Sequence, residues 1–158
     1  MAEEINNISL SNKRSFSIDG DLNRIIHLDT SDMNILVRLD ETYPEIRKLA
    51  TDAADRIVNS KGDEGDEDGD TAVSNLATVL KDIDKQMREK LNYIFASDIA
   101  DICEPKANMY DPVGGEFRFE RIITKLSTLY ANDITAEFKK MQERAKKHTA
   151  KYTNRRKK

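Results

Sequence analysis

The sequence has little of the material that marks secreted or membrane proteins. Its 158 residues include no tryptophan, three prolines and one cysteine, Cys103. A single cysteine excludes an internal disulfide and a cysteine-cluster metal site, and it is typical of a reducing compartment. No apolar run approaches the roughly 18 residues that a membrane-spanning helix needs. The acidic start, Met1-Ala2-Glu3-Glu4, is unlike a signal sequence. We therefore expect a soluble, cytoplasmic protein.

Core-forming residues are also scarce, since 38% of the chain is hydrophobic and 35% is charged. A chain of this length is expected to form one domain with a core of its own. The modest supply of apolar residues predicts that part of the chain is solvated or packs only against a partner.

Charge is distributed unevenly along the chain. Residues 144–158 contain eight Lys/Arg and no Asp or Glu, whereas the rest holds 18 Lys/Arg and 29 Asp/Glu, a net charge of −11 against a total of −3. Charge segregated in this way indicates a surface that meets a partner. We call residues 144–158 the basic tail. Its candidate binding cations are Lys146, Lys147, Lys151, Arg155 and Arg156.

The N-terminal region predicts a flexible arm followed by a β-hairpin. Residues 1–14 are mostly polar and indicate the arm. Over residues 15–29, Phe16 and Ile18 alternate with polar residues, and Asp19-Gly20-Asp21 supplies a turn. An isolated hairpin is only marginally stable, so it must pack on the helices or pair with the edge of another chain.

Three amphipathic helices follow, with boundaries set by capping residues and breakers. Thr30, Ser31 and Asp32 are favourable N-cap residues before the first helix, which runs to about residue 59. Pro44 predicts a break or kink in it near Tyr43. The second helix has apolar residues at helical spacing from Val73 to Ile94, and a short helical piece spans residues 99–103.

The last predicted helix begins after Gly114-Gly115 and carries one apolar stripe that fades after Met141. We expect it to continue beyond the core into the basic tail. The fold prediction is thus mainly α, with three principal amphipathic helices and a small N-terminal β-hairpin. Residues 15–143 form the helical domain in this prediction, between the arm (1–14) and the basic tail (144–158).

An acidic segment, residues 61–70, predicts a flexible surface loop within the helical domain. Aligning Gly69 with the invariant glycine of a calcium-binding EF-hand loop places acids on several ligand positions. The last ligand position, however, needs a bidentate glutamate and holds Asn75. A solvated charge run that attracts cations weakly and without specificity is the better interpretation.

No residue pattern indicates catalysis, a cofactor or a metal. His27 and His148 lack neighbours at metal-ligand spacing. Cys103 is better explained by packing, because nothing local would lower its pKa. Gly114-Gly115 lacks the rest of a phosphate-binding motif and is explained by a turn. We expect a non-enzymatic protein without a cofactor.

The basic tail allows two kinds of partner. Its cations could grip phosphate backbones without reading bases, in a salt-dependent manner. Alternatively, the tail could solubilise the chain or dock on an acidic protein surface. Nucleic-acid-binding domains are usually basic over a whole face with aromatics for stacking, and the rest of this chain is acidic. Protein contact is therefore favoured over nucleic acid.

Four short motifs carry a family resemblance: residues 28–33 followed by Arg38-Leu39, residues 91–95 followed by Asp98, residues 111–120, and residues 143–156. The third has the form Pro-x-x-Gly before an aromatic-rich helix start. In this order the motifs resemble those of the tail assembly chaperones of long-tailed phages and prophages of Gram-positive hosts. The N-terminal arm and the acidic loop are not matched.

The resemblance implies a non-enzymatic protein that binds the largely helical tape-measure protein in the host cytoplasm during tail assembly. The tail-tube protein is the second candidate partner. A homo-oligomer is also possible within this expectation. An amphipathic helix of a client commonly binds by laying its apolar face into an apolar groove of its partner. The expected binding residues lie on the stripe of the last helix, where part is core and part is client surface: Phe119, Ile123, Leu126, Tyr130, Ile134, Phe138 and Met141.

Overall fold

The computed structural model describes residues 5–60 and 69–156. Its main elements are the N-terminal strands β1 (Lys13–Ile18) and β2 (Asp21–Asp29) and the helices α1 (Asn34–Ser60), α2 (Gly69–Phe95), α3 (Ala100–Cys103) and α4 (Arg118–Arg156). A two-residue ribbon, β3 (Pro112–Val113) and β4 (Glu116–Phe117), precedes α4. The mainly α fold with three long helices and an N-terminal hairpin is as predicted.

The hairpin forms because its turn residues accept a left-handed backbone. Asp19 and Gly20 have φ values of 52° and 71°, which suits the type I′ turn favoured between two antiparallel strands. Phe16 lies opposite Ile26 across the ladder. β1 starts at Lys13, so the strand takes up the last two residues of the predicted arm.

The hairpin packs on the helices, which is one of the two placements that the sequence allowed. Ile26 and Leu28 of β2 are 1% exposed and belong to the helical core. The Thr30 hydroxyl donates to the carboxylate of Asp133 on α4. Arg14 Nη1 donates to the same carboxylate at 2.5 and 2.7 Å. Both strands are thereby tied to the middle of α4.

α1 runs without interruption through Pro44, so the predicted break near Tyr43 is wrong. Proline in a helix interior removes one backbone hydrogen bond and costs about 3 kcal/mol. Ile35, Ile46, Ala50 and Ala53 are 0–3% exposed along one face of α1. Burying that face on both sides of the proline outweighs its cost.

Asp32 caps α1 and links it to α2. Its Oδ1 accepts from the backbone N–H of Asn34 at 3.0 Å, and its Oδ2 accepts from Arg38 Nη2 at 2.8 Å. Arg38 Nε donates to the carbonyl of Ile94 at the end of α2. Burial alone would raise the pKa of Asp32, but these hydrogen bonds and the Arg38 charge lower it.

α2 supplies the central core residues. Its apolar stripe is buried in the C-terminal half of the helix and exposed near the start. Ile83, Met87, Leu91 and Ile94 are 0–6% exposed, whereas Val73 near the start of the helix is 67% exposed. α2 begins at Gly69, inside the predicted acidic loop. Residues 61–68, on which most of that prediction rests, lie outside the described residues.

Two short elements connect α2 to α4. The predicted helical piece is present as α3, and Asn92 Oδ1 caps it by accepting from the N–H groups of Ile99 and Ala100 at 2.9 Å. The predicted turn at Gly114-Gly115, with φ values of 60° and 83°, closes the β3–β4 ribbon. The sequence analysis did not predict this ribbon, because two-residue strands carry no readable alternation.

α4 is 39 residues long, about 58 Å at 1.5 Å per residue. Its first part packs in the core, where the rings of Phe119 and Tyr43 lie 6.0 Å apart and those of Tyr130 and Phe95 lie 5.9 Å apart. Every described side chain from residue 135 to 153 is exposed. We call residues 135–156 the projecting half of α4. The helix continues through the predicted domain boundary at residues 143 and 144.

Candidate partner-binding surface

Most of the predicted binding stripe on α4 belongs to the core. Phe119, Ile123, Leu126 and Tyr130 are 0–6% exposed and belong to the main apolar cluster. They therefore act mainly as packing residues, and the small exposed parts of Tyr130 and Ile123 line depressions between α1 and α4. The part of the predicted stripe that remains available is its C-terminal end, which comprises Ile134, Phe138 and Met141.

Ile134 lines an apolar groove between the start of α1 and the middle of α4. The groove has a volume of ≈ 210 Å³. On α4, the small residues Ser127 and Ala131, one helical turn apart, leave the depression between larger neighbours. The wall from α1 consists of Met33, Ile35, Leu36 and Leu39, and we call the whole feature the α1–α4 groove. Its lining is almost wholly apolar.

The α1 wall is the part of this surface that the sequence analysis missed. Met33 and Leu36 are 50% and 61% exposed, and the sequence analysis did not place either of them on a binding surface. A signal was present in the sequence. Apolar residues fill positions 33, 35, 36, 37 and 39, a spread too wide for one helix face to bury. Only Ile35 is fully buried.

The apolar surface extends from the groove along the contact between the two helices. Leu36 and Leu39 also line a shallow depression of ≈ 470 Å³, together with Asp40, Tyr43 and Ile123. An elongated apolar partner, such as one face of a helix, could therefore contact several turns of α1 and α4 at once.

Two other depressions, each larger than the α1–α4 groove, are lined mainly by charged and polar side chains. One, of ≈ 440 Å³, lies between α1 and α2 and includes Glu41, Glu45 and Glu89. The other, of ≈ 450 Å³, is lined partly by Arg118, Arg121 and Lys125 near the hairpin turn. Both offer an apolar ligand fewer contacts than the α1–α4 groove.

Phe138 and Met141 lie beyond the groove, on the projecting half of α4, and are 45% and 61% exposed. Lys146, Lys147 and Lys151 of the basic tail are exposed on the same helix, and α4 includes the backbone of Arg155 and Arg156. The structure thus places the predicted apolar and basic residues in succession along one helix that leaves the body of the protein.

Burial raises the pKa of Tyr130 beside the groove and of Cys103 on α3, which lines a different depression. Burial, together with the nearby Asp32 charge, raises the pKa of Tyr130 to about 12, so its hydroxyl stays neutral beside the groove. Burial also raises the pKa of Cys103 to about 11, which keeps the thiol protonated near neutral pH. Within residues 5–60 and 69–156, no cluster of three His, Cys, Asp or Glu side chains is positioned to hold a metal ion.

Comparison with models of protein families, with curated proteins and with solved structures finds no match to this chain. In the described part of the chain, none of the helices combines the length and apolar character needed to cross a lipid bilayer.

Proposed function

We propose that this protein is a non-enzymatic assembly chaperone whose α1–α4 groove binds an amphipathic helix of a client protein. The client implied by the family resemblance is the tape-measure protein of a long-tailed phage or prophage, bound in the host cytoplasm, and the tail-tube protein is a possible second partner. The observation that carries the proposal is the apolar lining of the groove, in which Met33 and Leu36 are exposed and Ile134 is half-buried.

The exposed apolar lining of the α1–α4 groove costs free energy unless a partner covers it. Apolar surface exposed to water is unfavourable by about 25 cal/mol per Å². Side chains such as Leu36, at 61% exposed, could have been polar without loss of folding stability. A client helix with apolar residues at positions i, i+3, i+4 and i+7 would bind in the groove through its apolar face. Both apolar surfaces would then be removed from water together.

The test is co-expression with the tape-measure protein encoded by the same phage or prophage, measured as the soluble fraction of that client. We expect the wild-type protein to raise the soluble fraction several-fold. Leu36→Asp should abolish the effect, because a carboxylate in the groove would be desolvated without a partner.

Val58→Asp is the matched control. Val58 is also an exposed apolar residue of α1, at 70%, but it lies 22 residues along the helix from Leu36, about 33 Å away. The Val58→Asp variant should support client solubility as the wild type does. An equal loss with both variants, or no rescue by the wild type, contradicts the proposal.

The alternative function is binding of nucleic-acid phosphates by the basic tail. The observation in its favour is that Lys146, Lys147 and Lys151 are exposed on a helix that leads away from the acidic body. At physiological salt the Debye length is about 8 Å, so the body's negative charge is screened over most of the projecting half.

Titration with duplex DNA and with RNA at two salt concentrations separates the two functions. Phosphate binding should fall steeply with salt and disappear when residues 144–158 are removed. The groove proposal predicts instead that this truncation leaves client solubility intact, because no groove residue lies in the tail.

A further inference from the structure

The projecting half of α4 carries a second apolar feature that the groove does not include. Beyond Ile134, the residues Phe138, Met141, Ala145, His148 and Tyr152 recur at alternating spacings of four and three. We call them the distal stripe. At 100° per residue these positions stay within about 40° of one line along the helix. All five side chains are exposed.

We propose that the distal stripe pairs with the distal stripe of a second copy of the chain, and that the two helices run antiparallel. A spacing of four and three is the heptad pattern by which two helices bury a shared apolar seam. The usual obstacle to a short coiled coil is helix nucleation. Here α4 is already nucleated by its buried first part, so pairing needs to order no new helix.

Charge determines the orientation. In a parallel pair, the basic residues from 144 onward would face the same residues of the second copy, with no acid among them. In an antiparallel pair centred near residue 143, residues 144–156 of one copy lie beside residues 130–142 of the other. That segment contains Asp133, Glu137, Lys139 and Lys140, so the basic end meets a segment without net charge and not a second basic segment. The two basic ends are then about 39 Å apart, several Debye lengths.

The antiparallel register also fits the available length and side-chain sizes. Met141 of each copy meets Ala145 of the other, so a long side chain faces a short one, and Phe138 meets His148. Residues 135–153 form a fully exposed stretch about 28 Å long. In this register residues 135–151 of each copy overlap within the exposed stretch, residues 152–156 reach alongside the other body, and the two bodies stand at opposite ends of the seam. A parallel pair would force the acidic bodies side by side.

This pairing goes beyond the proposed client binding and does not depend on it. The α1–α4 groove involves Met33, Leu36 and Ile134. The pairing rests on residues 138–152, of which only Tyr152 lies opposite a groove residue, Ile134, in this register. Leu36→Asp tests the groove and is expected to leave the mass of the protein in solution unchanged. Failure of either proposal is therefore visible without the other.

The first experiment is sedimentation equilibrium of the full chain between about 5 and 300 µM, a range suited to a short seam. We expect the weight-average mass to rise from 18.1 kDa toward twice that value. The double variant Phe138→Ala with Met141→Ala should weaken dimerisation at least tenfold. Both side chains are exposed, and alanine favours helix, so the fold is retained.

The matched control is Lys140→Ala with Glu143→Ala, which changes two exposed residues on the opposite side of the same helix without altering net charge. It should dimerise as the wild type does. A wild-type protein that stays at 18.1 kDa throughout, or dimerisation that survives loss of Phe138 and Met141, overturns the proposal.

Orientation is measured by the distance between spin labels at Thr153→Cys in a Cys103→Ala background. An antiparallel pair centred near residue 143 places the two labelled positions about 30 Å apart, whereas a parallel pair places them about 10 Å apart. A dominant distance near 30 Å supports the proposed pairing. A dominant distance near 10 Å contradicts it.

Discussion

Thr30 shows how one buried hydroxyl joins the hairpin to the helices. It is fully buried, and its hydroxyl donates to Asp133, which also accepts from Arg14. The hydrogen bond from Thr30, then that from Arg14, lowers the pKa of Asp133. A carboxyl group with a lowered pKa in the folded state stabilises that state above its unfolded pKa, near 3.9. The contribution is lost as the pH falls through the folded pKa.

We predict that Thr30→Val lowers the free energy of unfolding by about 1–2 kcal/mol at pH 7. Valine has a shape similar to that of threonine but no hydroxyl, so Asp133 keeps its charge and loses one hydrogen bond. The deficit relative to wild type should shrink as the pH falls below the unfolded pKa, near 3.9, and through the lowered pKa of Asp133 in the folded protein. Urea denaturation at pH 7 and pH 3 measures it. Thr128→Val, at an exposed position of α4, is the control, and an equal deficit at both pH values contradicts the account.

Cys103 illustrates a residue whose environment suppresses its chemistry. The side chain is 5% exposed, and burial raises the pKa of its thiol to about 11. At pH 8 we predict negligible reaction with a disulfide reagent in the native protein and one equivalent in 6 M guanidinium, because only the exposed thiolate reacts. A Thr153→Cys variant supplies an exposed thiol as a positive control. Rapid modification of native wild-type protein would contradict this prediction.

At the scale of the element, α1 shows tertiary packing overriding local preference. The sequence placed a breaker at Pro44, and the apolar pattern on either side of it favoured a continuous helix. Local rules could not decide between these, since the outcome depends on how much apolar surface α2 and α4 cover. The same limit applies to Met33 and Leu36, which share the helical spacing of core residues but are left outside the core.

Replacement of Pro44 by alanine tests that balance. Pro44 is exposed, so little packing is lost, and the restored N–H can donate to the carbonyl of Asp40. We predict that Pro44→Ala stabilises the fold by about 2 kcal/mol, the helix penalty of proline less its entropic benefit. Thermal and urea unfolding measure the change. Lys48→Ala, one turn along the same exposed side, is the control and should change stability by less than about 0.5 kcal/mol. Destabilisation by Pro44→Ala would contradict the prediction and show that the proline ring contributes packing.

α4 divides into a part that the sequence could assign and a part that it could not. Its apolar stripe gave the helix correctly, because strict spacing over several turns is a strong signal. It did not separate core from binding residues, since four expected binding residues between Phe119 and Tyr130 lie in the core. Which stripe residues face solvent depended on where α1 and the hairpin end against α4. A single sequence does not show how far along α4 the packing of α1 and the hairpin extends. Ile134, Phe138 and Met141 therefore could not be separated from the core in advance.

At the scale of the whole molecule, the body and the projecting half of α4 are energetically separate. The described side chains of residues 144–153 are exposed, and the hydrogen bonds of Thr149 and Thr153 stay within the helix. We predict that removal of residues 144–158 changes the free energy of unfolding by less than about 0.5 kcal/mol. Urea unfolding at low micromolar concentration, where association is minor, measures this.

The truncated protein should differ from wild type in charge. Its net charge falls from −3 to −11, so anion-exchange elution should shift to higher salt. Deleting residues 1–8, which have no secondary structure from residue 5 onward, is a control of similar kind with little change in charge. A large loss of stability on removing residues 144–158 would mean that the tail contacts the body.

The separation of charge along α4 gives the molecule a large permanent electric dipole. Its negative end is the body and its positive end lies tens of ångströms away at the end of a rigid helix. Torque from the field of another macromolecule acts on such a dipole before any contact forms. The protein therefore meets negatively charged surfaces with its helix tip and positively charged ones with its body, so the geometry of an encounter is selected during approach.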